Sequence, residues 1–260
     1  MEVIIKNAIE KNISEICFTD HVDYGIKIDH DIFKQMSDDE KQKFEKVLNV
    51  DYPNYFKEIE TLKNKYKNQI TIKQGLEFGI QTHTVKKFQQ LFDSYDLDFI
   101  ILSCHQANDK EFWNYNYQNG KTEDEYNLGY YEEIYKCIHL YHDYSILGHL
   151  DLIQRYNKTI YPFEKSRDII TKILKKVIED GKGIEVNTSS FAYKLKDLTP
   201  SKEILKLYYE LGGKIITIGS DSHKAESIGS HIPLIQQELK NIGFSHFCTF
   251  DKMEPVFHEL

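Results

Sequence analysis

Cysteine is scarce and dispersed. The chain carries four, Cys17, Cys104, Cys137 and Cys248, with no C-x-x-C pair. Neither a disulfide framework nor a zinc ribbon is expected, and the four read as buried thiols. Long apolar runs are absent: none approaches the roughly 20 residues needed to cross a bilayer. The N-terminus also lacks a basic segment followed by an apolar one, so the expectation is no membrane partner and a cytoplasmic protein. Basic residues are in the minority, 33 Lys and Arg against 41 Asp and Glu, for a formal charge of −8. That balance argues against a nucleic acid as the main partner but leaves room for a small phosphorylated substrate. No G-x-G-x-x-G and no G-x-x-x-x-G-K-[ST] occurs, which removes the usual support for a nucleotide-binding sheet.

What is present is an ordinary globular composition, 40% hydrophobic and 28% charged over 260 residues. Residues 1–260 are expected to form one domain. The stretch Lys214 to His223, K-I-I-T-I-G-S-D-S-H, sets the pattern. Its isoleucines read as a strand buried on both faces. If the extended geometry persists past Gly219, Asp221 and His223 point the same way. Alone, Ser220 and Asp221 read better as a helix cap than as part of a half-site.

The pattern recurs. Met1 to Asn12 reads as a helix, and Glu15 to His21, E-I-C-F-T-D-H, as a strand ending in Asp20 and His21. A polar excursion from Val22 to Pro53 precedes a helix over 55–66 and a strand over 70–79 that ends near Glu77. A helix over 85–92 leads to D-F-I-I-L-S-C-H, ending on His105. After a second long loop, 106–127, a helix through Tyr141 precedes S-I-L-G-H-L-D, with His149 and Asp151. The amphipathic stretch Ile169 to Ile178, the strand Gly183 to Thr188 and a helix with Thr199 as N-cap follow. Past His223, a helix over 232–239 and a closing strand over 244–250 complete the chain.

Six buried-looking strands separated by helices imply a parallel α/β sheet, either doubly wound or a (β/α) barrel. Five of the six end in His, Asp or Glu, which favours the barrel, because barrel sites are built from several strand ends. Each residue has a structural alternative: His105 as a core histidine, Glu77 as a helix cap, Asp151 as a partner for Arg155. Together, imidazoles and carboxylates converging on one mouth need partners that a metal cluster supplies. Mixed His and carboxylate ligation without thiolate suits zinc, manganese or iron. A bridging carboxylate such as Glu77 with paired ions points to phosphoester hydrolysis. The remaining histidines, His30, His83, His139, His142, His231, His246 and His258, are not assigned to metals.

The ordered set F-T-D-H, G-L-E, S-C-H, L-G-H-L-D, E-V-N-T-S and G-S-D-S-H resembles the polymerase and histidinol phosphatase (PHP) superfamily, within it the histidinol-phosphatases of histidine biosynthesis. The resemblance implies a distorted seven-stranded, TIM-like (β/α) barrel with up to three divalent metals. By position, Glu77 would bridge two metals, with His105 and His149 on one and Asp221 on the other, while His21 and His223 hold a third. Asp221 and His223 are the residues expected to take part in catalysis, and Arg155 is similar to a base that binds substrate phosphate. The implied reaction is hydrolysis of L-histidinol phosphate by metal-bound hydroxide attacking in line.

The sequence departs from the family pattern in two places. Such proteins open with a strand bearing H-x-H, but this sequence contains no H-x-H, and Met1 already sits in the helix that normally follows. One barrel strand and at least two ligands are therefore expected to be missing from this chain, with fewer than three metals held tightly and weak or no activity. An arginine is implied near Ala192, where the nearest base is Lys194. Two alternatives stay open: another phosphoesterase or exonuclease of the superfamily, and a truncated, non-catalytic metal-binding barrel.

Overall fold

Seven strands form one parallel sheet in the computed structural model, which describes residues 1–45 and 47–260. In chain order they are β1 (Glu15–Phe18), β2 (His21–Val22), β3 (Thr71–Gly79), β4 (Phe99–Ser103), β5 (Ile146–Leu147), β6 (Gly183–Asn187) and β7 (Ile216–Gly219). β1 and β2 pair in succession with the long β3, and the order then runs β3, β4, β5, β6, β7. Parallel neighbours need crossovers. The helices α1 (Glu2–Glu10), α2 (Tyr52–Tyr66), α3 (Val85–Phe92), α4 (Glu123–Leu140), α5 (Phe163–Glu179), α6 (Lys202–Glu210) and α7 (Ile232–Ile242) precede, connect and follow the strands.

The helices sit where their apolar stripes dictate. In α5, Ile170, Ile173, Leu174 and Val177 recur at helical spacing and are fully buried, each contributing about 1.5–3 kcal/mol by leaving water. α1 ends where Asn12 adopts φ +57°, the left-handed conformation that asparagine tolerates after a helix. The sheet curls without closing. β1 and β7, its two edges, do not pair among the described residues, yet both line one cavity of about 470 Å³. A C-terminal hairpin, β8 (His246–Asp251) with β9 (Glu254–Glu259), seals the opposite end. There Cys248 and Phe250 pack on Ile101 and Ile146, and the Phe250 ring lies 5.1 Å from that of Phe99.

Several expected boundaries shift. The strand over 15–21 breaks at Thr19 and Asp20 into β1 and β2, because Asp20 lends its carbonyl to the Glu77 N–H, 3.1 Å away, at the junction. The excursion after Val22 holds two short helices, His30–Lys34 and Asp38–Phe44, the second opened by a Ser37/Glu40 capping box. The second long loop contains a tight ribbon, Gln106–Ala107 with Lys110–Glu111. α4 starts early, at a Thr122/Glu125 capping box. α6 is capped by Ser201 and not by Thr199, whose carbonyl is taken by the Asn187 N–H at 2.7 Å. The single closing strand is a hairpin. Cys104, Cys137 and Cys248 are buried and Cys17 half-buried, all free.

Candidate metal centre

Parallel register brings the strand ends to one level. His21 of β2 stands beside Glu77 of β3, and Gly79 beside Ser103, two residues before His105. Glu77, buried in the middle of the sheet, receives three groups on one oxygen. His105 Nε2 and His149 Nε2 each lie 2.9 Å from its Oε1, and Ser103 Oγ donates to it at 2.7 Å. Its other oxygen, Oε2, lies 3.2 Å from His21 Nε2. The His21 and His105 rings stack at 4.6 Å.

A second layer orients these groups. Asp23 Oδ1 accepts from His105 Nδ1 at 2.8 Å, its Oδ2 sits 3.7 Å from His21 Nδ1, and Lys27 Nζ pairs with it at 2.6 Å. With Nδ1 committed to Asp23, Nε2 is the free coordinating nitrogen of His105. The close fit needs Gly79, since a β-carbon there would collide with Asp23 Oδ1. On the other flank, the His149 N–H and Asn187 Nδ2 both donate to Glu185 Oε2 at 3.1 Å. The first of these holds His149 at φ +21°, a conformation rare outside glycine. Gly219 leaves the space that the Glu185 carboxylate fills.

Asp221 and His223 arrive differently from the sequence expectation. β7 ends at Gly219 and Asp221 turns to φ +47°, so strand alternation does not align the two. The turn still delivers them: His21, Asp221 and His223 offer ligand atoms within 4.8 Å of one another, as do His21, Glu77 and His105. His21 therefore stands between two groups, where the resemblance placed it with His223 alone. Arg155 also reaches this rim. Its Nη2 donates to Ser189 Oγ at 2.6 Å and lies 3.8 Å from Asp221 Oδ2, while its guanidinium covers the Tyr193 ring at 4.4 Å. Asp151 turns away, and Asp20 belongs to neither triad. Asp151 takes the Ser201 N–H, not the Arg155 side chain, as partner.

The electrostatics follow from crowding. Burial alone would raise the Glu77 carboxyl, but His21 and His105 outweigh it and hold it well below the usual range. Asp23 is likewise depressed, burial being overcome by His105. Burial opposes the charge on His105 too, yet Asp23 and Glu77 push it up to about 10. His149, more enclosed, is lowered by burial. Glu185 is pushed up to about 8, first by burial and then by Asp221 and Glu77.

This donor set fits divalent cations. His105 Nε2 and His149 Nε2 are only 3.4 Å apart and aim at one oxygen. Two N–H groups so arranged repel, whereas two lone pairs can share one cation. Asp23, Glu185, Asn187 and Ser103 escaped assignment as site residues from sequence. The signal for Asp23 was available, since H-V-D repeats the two-residue step of D-S-H.

The chain is similar to known proteins of one family. The family model described as PHP domain matches residues 1–189. Histidinol-phosphatase of Lactococcus lactis subsp. lactis is 31% identical over 255 residues, covering 96% of this chain and 88% of that protein. A probable histidinol-phosphatase of Clostridium acetobutylicum is 30% identical over 260 residues, 97% of this chain and 88% of the relative. The crystal structure of the Lactococcus lactis histidinol phosphate phosphatase, complexed with zinc, L-histidinol and phosphate, superposes with a TM-score of 0.83 at 29% identity. It covers 98% of this chain and 92% of that one.

Proposed function

Since the chain belongs to the PHP domain family, we propose that it is a phosphoric monoester hydrolase of the histidinol-phosphatase type, acting on L-histidinol phosphate. The observation that supports this best is the convergence of His105 and His149 on Glu77, with the Arg155 guanidinium 3.8 Å from Asp221. A cation site and a charge suited to phosphate are thereby joined through Asp221. The whole chain, 1–260, is read as one catalytic domain working in the cytoplasm. No helix among the described residues is long and apolar enough to cross a membrane.

His21, Glu77, His105 and His149 would hold cations in the buried half, and Asp221 and His223, with His21, in the outer half. Zinc is the ion of the Lactococcus lactis neighbour; manganese or iron suits the same donors, with fewer than three ions held tightly by this chain. When bound, such ions lower the pKa of a water ligand and offset phosphoryl charge. The chain's own residues position the reactants. Asp23 fixes the tautomer and plane of His105, and Glu185 fixes the backbone of His149. Asn187 Nδ2 donates to Asp221 Oδ2 at 3.2 Å and orients it. Arg155, held by Ser189, presents its fork to the substrate phosphate.

The test is phosphate release from L-histidinol phosphate by the zinc-loaded 260-residue chain, alongside equilibrium binding of the same compound. Binding with weak, metal-dependent release is expected, since H-x-H is absent, and single-stranded DNA should stay uncut. Neither binding nor release at any metal loading would overturn the assignment, and preferential DNA cleavage would replace it.

A further inference from the structure

Asp23 steadies His105, yet its own support comes from outside the sheet. β2 pairs with β3 through His21 and Val22 only, so the pairing stops one residue before Asp23. There a side chain supplies the next rung. Asn49, 2% exposed, accepts the Asp23 N–H on Oδ1 at 2.9 Å and donates from Nδ2 to Asp29 Oδ1 at 2.8 Å. Its own N–H goes to the Ile28 carbonyl at 2.9 Å, and the Tyr52 hydroxyl donates to the same Asp29 oxygen at 3.0 Å. The Asp23 carbonyl takes the Ile26 and Lys27 N–H groups, in the turn that brings Lys27 Nζ to the Asp23 carboxylate. Outside that turn, Asn49 is the one hydrogen-bond partner of the Asp23 backbone among the described residues.

An interior N–H without an acceptor is unfavourable. With Asn49 gone, the Asp23 backbone turns toward another acceptor and carries its carboxylate off His105 Nδ1. We propose that Asn49 is a positioning residue: it sets the Asp23 carboxylate against His105, and through it the direction in which His105 Nε2 points. The inference rests on the reading of His105 as a cation ligand. Asn49, Asp29 and Tyr52 belong to neither ligand triad, so the excursion after β2 acts on the centre from behind, through one hydrogen bond.

Two readings test this in the full chain: solvent exchange of the His105 Nδ1–H, followed by NMR without metal, and zinc affinity by chelator competition. In Asn49→Ala the His105 proton should exchange at least tenfold faster and zinc affinity should fall about tenfold, the low end for a group behind a metal ligand. Tyr52→Phe removes a hydroxyl from the same network but keeps the Asn49 bond to Asp23, and should change neither. Asn49→Asp sets two carboxylates face to face and should loosen His105 as the alanine does. Adding Asp29→Asn exchanges the pair, restores a donor between the two positions and should return both readings to within about twofold of the original. Circular dichroism identifies any variant that fails to fold; if Asn49→Ala is lost, the exchanged pair against Asn49→Asp decides. An unmoved His105 proton in folded Asn49→Ala, an equal effect of Tyr52→Phe, or an exchanged pair no better than Asn49→Asp would each overturn the role. If the original chain holds no zinc, the metal centre falls, and the His105 proton still decides the part played by Asn49.

Discussion

The two halves of the candidate metal centre are built by different means. In the inner half, Glu77, His105 and His149 ride on or just after paired strands, with Asp23, Ser103 and Glu185 fixed behind them. In the outer half, Asp221 and His223 hang from a turn beyond β7, an edge strand. The His149 side chain is 4% exposed and that of His223 71%. The contrast separates preorganisation from access. Rigid strands with a hydrogen-bonded second layer hold ligands in place before any ion arrives, whereas an exposed turn beyond a strand lets ligands adjust.

The contrast can be broken experimentally, beginning with its centre. Glu77→Gln removes the carboxylate on which three histidines converge, so phosphate release should fall on the order of a thousandfold, and zinc content measured by mass spectrometry should drop in both halves. Loss of metal from the outer half alone would contradict the central place given to Glu77. Asp23→Asn leaves every ligand in place but loosens His105. Metal affinity, measured by chelator competition, should weaken about 10- to 100-fold, and an unchanged affinity would mean that the second layer is idle. His223→Ala should have the smallest effect, about tenfold or less in metal affinity. An exposed ligand on a turn is the least preorganised, and its remaining coordination is readily replaced by water. A larger loss than that of Asp23→Asn would reverse the ranking of the halves.

The same contrast explains what could be read in the chain before its structure. β4 is an apolar run that His105 follows closely, and Glu77 stands between Leu76 and Phe78 near the end of β3, so those residues stand out against their neighbours. Asp23 did not stand out. It sits at the head of a polar excursion, and only the pairing of β2 with β3 turns it inward. Glu185 lies between Ile184 and Val186 as Glu77 lies between Leu76 and Phe78, but within its strand and not near its end; its role depends on Gly219 across the sheet and on the His149 backbone. Strand alternation failed at Asp221 because a left-handed residue, not an extended one, makes the turn. The Ser37/Glu40 and Thr122/Glu125 boxes went unread; they open the helix Asp38–Phe44 and α4, in stretches read as loops. Asp151 matched the spacing of the site residues, yet a cap for α6 claims it.

The edges of β1 and β7 do not pair among the described residues, yet they are moored to one another. Lys11, just past α1, carries its ammonium to the carbonyls of Glu226 and Ile228 beyond β7, at 2.6 and 3.0 Å. A long flexible stem with one charged tip spans the gap, so this side of the molecule is tied by a tether that solvent reaches, where the rest of the sheet is tied by a ladder.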